Sequence, residues 1–202
     1  MSLLASTASI TRYRVDGKIE NNLLETIYNG LKKHIIPEKE DASEKIVGWT
    51  SFNDPFKPNF EGSSFSIGNY LIFSLRIDKK TISQKIIKKY HAIEVEKRLK
   101  ESGLEYLSTH EQKMVKDHVI NVLGLRIPAT PNTYDLVWDY EKSVLWFFSN
   151  LKAANEELED LFFKSFKLNI IRLFPYTMGH LLAGLSDSEL DFLDQLQPSG
   201  FY

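Results

Sequence analysis

Two helical stretches follow one another with no strand between them, and this break in alternation constrains the fold more than any other feature of the 202 residues. The first runs over about 82–100 and breaks at Gly103. The second opens at Ser108-Thr109-His110-Glu111, a capping box in which the Ser hydroxyl and the Glu carboxylate each satisfy a backbone amide of the first turn. β-Prone segments lie on both sides. Upstream, 9–15 alternates in the manner of a strand, and Leu23, Leu24, Ile27, Leu31 and Ile35 hold helical spacing until Pro37 stops it. Segments 46–52 and 70–77 read as two further strands, separated by a loop with Pro55, Pro58, Gly62 and Gly68.

Downstream, 134–139 and 144–148 form a predicted hairpin turned by Glu141-Lys142, and Asn150 is placed to cap a helix through Leu151, Leu158, Leu161 and Phe162. Pro128 and Pro131 make 126–133 an irregular or edge segment. A last strand is expected within 168–174, followed by short helices around 178–182 and from a second capping box at Ser186-Asp187-Ser188-Glu189. Without a regular β-α-β repeat, the order predicts an α+β fold rather than a doubly wound sheet. Its expected parts are a β-α-β-β unit over 1–78, a helical hairpin over 79–125, and a β-β-α unit with short terminal helices over 126–202.

Hydrophobic residues at 43% and charged residues at 26% are enough for a folded core. With no cysteine, the chain has no disulfide, thiolate metal site or cysteine nucleophile, which suits a reducing cytoplasm. The first residues lack the basic and apolar regions of a signal peptide, and no run reaches the length of a membrane span. The expectation is a cytoplasmic protein.

The formal net charge of −2 conceals an uneven distribution. Residues 79–116 hold ten Lys/Arg against five Glu, a net of +5, which leaves −7 for the remainder. At 100° per residue, Ile82, Ile86, Tyr90 and Ile93 share one stripe of the first helix, expected to pack, and Lys85, Lys88 and Lys89 share a neighbouring one. On the second helix Val115, Val119 and Val122 make the apolar stripe, with Lys113 and Lys116 together on a polar face. Lysine meets phosphate as a flexible point charge without demanding geometry, so such a surface suits backbone contact rather than base readout. The candidate phosphate contacts are Lys85, Lys88, Lys89, Lys113 and Lys116, assisted by Lys79, Lys80 and Arg126. An ordinary solvated helix face would look the same in composition.

The order of these blocks resembles the RdgC family of bacterial recombination-associated proteins. The blocks are Tyr13-Arg14, Gly48-Trp49, the apolar strand 71–77, Ile86-Ile87-Lys88, the helix Glu111-Gln112-Lys113-Met114-Val115-Lys116-Asp117-His118-Val119, Val137-Trp138-Asp139, and Ala153-Ala154-Asn155-Glu156-Glu157. The resemblance covers about residues 10–163, as in a member shortened at the C-terminus. The family's leucine-proline before its first long helix is replaced here by Lys80-Thr81-Ile82. The resemblance implies a homodimer that closes round duplex DNA, binds without sequence preference and modulates recombination by occupying DNA, without catalysis or cofactor.

No catalytic constellation competes with that reading. Glu111-Gln112-Lys113 has the Glu-x-Lys form of a metal-dependent nuclease but falls on a helix, without a matching Asp on a neighbouring strand. His110 and His118 lie eight apart, His34, His91 and His180 are isolated, and no nucleophile elbow or phosphate-binding glycine loop occurs. No metal, cofactor or small-molecule substrate is expected. Trp49, Trp138, Trp146, Phe147 and Phe148 read as core, whereas Phe52, Phe56, Phe60 and Phe65 suggest an exposed or partner-covered patch. That patch, with the lysine hairpin, supports an alternative: a protein-interaction module without DNA encirclement.

Overall fold

The structure, a computed structural model, describes residues 3–20, 22–37 and 44–197. Seven strands, β1 Thr11–Asp16, β2 Lys45–Thr50, β3 Ser66–Ile67, β4 Tyr70–Lys79, β5 Thr130–Asp139, β6 Val144–Phe147 and β7 Asn169–Arg172, form one sheet in the order β2-β4-β5-β6-β1-β7, with β3 paired to β4. The helices are α1 Leu23–Lys33, α2 Gln84–Ser102, α3 Thr109–Arg126, α4 Lys152–Phe166, α5 Pro175–Met178 and α6 Asp187–Gln195. The fold is α+β, as the element order predicts.

By backbone proximity the chain divides into two compact units: 1–36 with 47–76 and 133–202, and 37–46 with 77–132. The first unit is interleaved in sequence because β1 is the antiparallel partner of both β6 and β7, with Tyr13 opposite Leu145 on one side and Arg172 on the other. Alternation along β1 buries Thr11, Tyr13 and Val15 on one face. Against that face lies α4, whose Leu158, Leu161, Phe162 and Phe166 are buried. Trp138 meets Phe162 at 5.1 Å between ring centroids, and Trp49 meets Phe73 edge-on at the same distance. The Trp49 indole N–H donates to Ser165 Oγ at 2.7 Å, tying the α4 C-terminus to β2.

In the second unit α2 and α3 form an antiparallel hairpin. Gly103 ends α2 at φ 68°, a left-handed conformation that glycine adopts without penalty, and the Ser108–Glu111 capping box starts α3 as predicted. The packed seam is Leu107, Val115, Val119 and Leu123, with Ile82, Val95, Leu99 and Ile127 against it.

Several expectations need correction. Of the stripe Ile82, Ile86, Tyr90 and Ile93, only Ile82 packs: Ile86, Tyr90 and Ile93 are 40%, 42% and 51% exposed, and the buried contact of α2 is Ile87. On α3, Leu123 rather than Val122 continues the stripe, since four-residue spacing follows the seam. Phe60 and Phe65 are buried and pack edge to face at 6.3 Å, leaving Phe56 as the exposed aromatic of that loop. The same loop contains the two-residue strand β3. Asn150 does not cap α4. The N-cap is Leu151, and Asn155 instead donates back to the Leu151 and Ser149 carbonyls. Finally, Pro131 lies inside β5. The pairing of β5 with β6 begins only at Leu136, so the missing N–H of Pro131 falls outside that ladder.

Candidate nucleic-acid interface

The second unit carries all eight candidate cations. Lys79 is the exposed last residue of β4 and Lys80 follows it half-buried, its backbone N–H held by the Glu44 carbonyl at 2.9 Å. Lys85, Lys88 and Lys89 are exposed on the first two turns of α2, Lys113 and Lys116 on α3, and Arg126 at the end of α3.

Register decides which of them converge. The His91 ring nitrogen Nε2 lies 3.1 Å from the Gln112 carbonyl, which fixes one level of the hairpin. Because the helices are antiparallel, one turn back along α2 reaches Lys88 and one turn forward along α3 reaches Lys116, so these two lysines belong to the same level. Farther along, Lys80, Ile82 and Ile87 share a groove of about 420 Å³ with Ile120, Asn121, Gly124 and Leu125, with Glu44 at its rim. The start of α2 and the end of α3 therefore form one end of the hairpin, with Lys80, Lys85, Lys88, Lys116 and Arg126 around it. Lys113 stands nearer the middle.

Ion pairing divides the same helices. Lys97 with Glu101, Arg98 with Glu94 and Lys100 with Glu96 form i,i+4 pairs at 4.0, 3.6 and 2.7 Å along the second half of α2. The Lys100 ammonium, by hydrogen bond and charge, holds the Glu96 carboxyl below its usual range. Among the described residues none of the eight candidates has such a carboxylate partner.

The helix field adds to this imbalance. The first turn of α2 holds no acidic residue, and the Ser83 side chain does not cap it. Lys85, Lys88 and Lys89 therefore stand at the positive end of a helix dipole, where cations are disfavoured unless an anion is near. An anion placed there meets free ammonium groups and backbone N–H dipoles together.

The Glu111 carboxylate considered for metal chemistry is committed locally: it accepts from the Ser108 N–H at 2.8 Å and hydroxyl at 2.7 Å, which lower its pKa. Among the described residues no three His, Asp or Glu side chains are grouped to hold a metal ion, and no helix is long and apolar enough to cross a membrane.

The groove beside the lysines is not legible in the sequence, because its walls come from α2, α3 and the segments holding Glu44, Lys80 and Ile82, which only the packed fold brings together. Comparison with protein-family models and with curated proteins gave no match for this chain.

Proposed function

We propose that this chain is a non-catalytic, sequence-independent DNA-binding protein that occupies duplex DNA as a homodimer in the nucleoid and so modulates recombination, as its RdgC-like motifs imply. The observation that supports this reading best is the segregation of charge in the hairpin: paired cations along the second half of α2, and unpaired Lys80, Lys85, Lys88, Lys116 and Arg126 round its other end. Exposed cations without carboxylate partners neutralise phosphates and release counterions without reading bases. The test is fluorescence anisotropy of labelled random-sequence duplex and single-stranded DNA at two salt concentrations. Salt-sensitive binding to unrelated duplexes supports the proposal, and Lys85→Glu with Lys88→Glu should weaken all sequences alike. Absence of binding at low salt would overturn it.

A second reading, a protein-interaction module, is favoured by the exposed stripe Ile86, Tyr90 and Ile93 beside the lysines. It predicts salt-insensitive capture of a protein partner without DNA affinity.

A further inference from the structure

A second group of unpaired cations lies in the first unit, where the C-terminal ends of α1 and α4 meet. Gly30 is packed so closely on α4 that a Cβ there would come within 2.7 Å of the Phe166 ring and 2.8 Å of the Ser165 carbonyl. This contact brings Lys32 and Lys33 of α1 to the level of Lys164 and Lys167 of α4. All four are exposed, and among the described residues none has a carboxylate partner. Asp160, one turn before Lys164, does not pair with it.

Between the two helix ends lies His34, whose Nε2 is buried and without a hydrogen-bond partner. Desolvation, and then the charges of Lys33, Lys167 and Lys164, hold its imidazole below the ordinary pKa, so those three ammonium groups act on one point. Two of the lysines also lie over aromatic faces: Lys32 is 5.4 Å from the Tyr28 ring centroid and Lys167 is 5.5 Å from that of Phe163, itself 48% exposed. Cations in the last turn of a helix complement its dipole, which accounts for single lysines there. It does not account for four from two helices, without counter-charge and beside an open aromatic ring. That combination suits a strand of phosphates carrying planar bases.

We propose that Lys32, Lys33, Lys164 and Lys167 form a second phosphate-binding surface for nucleic acid, with Phe163 as a stacking face for unpaired bases. The inference rests on the DNA-binding reading and adds a contact surface independent of the hairpin.

The test compares the full chain with Lys33→Glu/Lys164→Glu/Lys167→Glu, with neutral Lys164→Gln/Lys167→Gln, and with the hairpin pair Lys85→Glu/Lys88→Glu, each confirmed folded by circular dichroism. The triple reversal is expected to weaken duplex binding about tenfold or more and to lower the log–log salt slope by about 2–3, at roughly 0.9 per phosphate contact. The neutral pair should show a smaller loss in the same direction, which guards against misfolding of the triple variant. Phe163→Ala should weaken single-stranded DNA more than duplex. If the native chain binds DNA and the hairpin variant is impaired, but the triple and neutral variants keep native affinity and slope, this inference falls while the DNA-binding reading stands. If the native chain binds no DNA, both fall. Loss of binding to phosphatidylserine vesicles with DNA binding intact would assign the surface to lipid and overturn the nucleic-acid proposal.

Discussion

The Tyr13 hydroxyl donates to Asn155 Oδ1 at 2.6 Å, joining the first strand to the fourth helix inside the core, with Glu159 Oε1 3.0 Å from the same hydroxyl. Asn155 uses its amide N–H groups on the Ser149 and Leu151 carbonyls at 3.3 and 2.8 Å, and Thr11 Oγ1 also donates to Ser149 at 2.7 Å. Burial and the neighbouring Glu159 push the phenol pKa far up, so the proton stays on the oxygen and the donor role persists at any ordinary pH. Asn155→Leu removes one hydrogen bond from each of the phenol, the Ser149 carbonyl and the Leu151 carbonyl, which keep Glu159, Thr11 and the backbone N–H of position 155 as partners. It is expected to destabilise the chain by about 3 kcal/mol, at about 1 kcal/mol per bond. Tyr13→Phe should cost about 1–2 kcal/mol. Urea denaturation checks both through a lowered midpoint at unchanged slope.

Gly48 lies where two backbones nearly touch: a Cβ there would come within 2.6 Å of both Ile36 N and Cα. That stretch is held by Ile36 N–H donating to the Trp49 carbonyl at 2.9 Å and Trp49 N–H donating to the His34 carbonyl at 2.8 Å, so it has little freedom to retreat. Gly48→Ala is therefore expected to cost about 2–3 kcal/mol by overpacking. A shift in thermal midpoint, compared with Gly124→Ala, which has open space and no left-handed backbone, separates crowding from a general loss of glycine.

His34 makes stability depend on pH with a definite sign. Its folded pKa is depressed by desolvation and by Lys33, Lys167 and Lys164, so below about pH 6.5 the unfolded chain binds a proton that the folded chain resists. This group's contribution therefore falls as pH drops through and below that value. His34→Gln removes the titration and should flatten this part of the pH–stability curve, measured as denaturant midpoints at neutral and mildly acidic pH.

The hairpin offers a contrast between two apolar sets. Ile93→Ser, at a position 51% exposed, is expected to change stability by less than about 0.5 kcal/mol. Leu123→Ala, in the seam, should cost about 2–4 kcal/mol. Reversal of that order in chemical denaturation would place the buried face of α2 and α3 elsewhere.

These residues also mark how far sequence alone reaches. Helix ends were legible where the signal is local chemistry, as with the Ser108–Glu111 and Ser186–Glu189 boxes and the stop at Gly103. Strands rich in β-branched and aromatic residues, such as β4, were legible for the same reason. The buried face of α2 was not, because Ile86, Ile87, Tyr90, Ile93, Val95 and Leu99 give apolar side chains on several sides, and only packing against α3 selects among them. Asn150 is the cap expected for α4, and that Asn155 bonds back to the helix start instead depends on where Tyr13 and Ser149 come to lie. The lysines of the hairpin could be enumerated from sequence. Which of them face one another depends on helix register, and the cluster at the ends of α1 and α4 depends on contacts between residues far apart in the chain.

The position of β1 has a consequence for biosynthesis. Its two partners are β6 and β7, which begin at Val144 and Asn169, so the first strand leaves the ribosome long before either partner exists. At translation rates of about 5–20 residues per second it waits on the order of ten seconds, with the apolar side chains of Tyr13 and Val15 and both hydrogen-bonding edges open to other chains. Such a topology delays closure of the first core until late in synthesis and leaves the unpaired edges of β1 exposed to aggregation in the meantime.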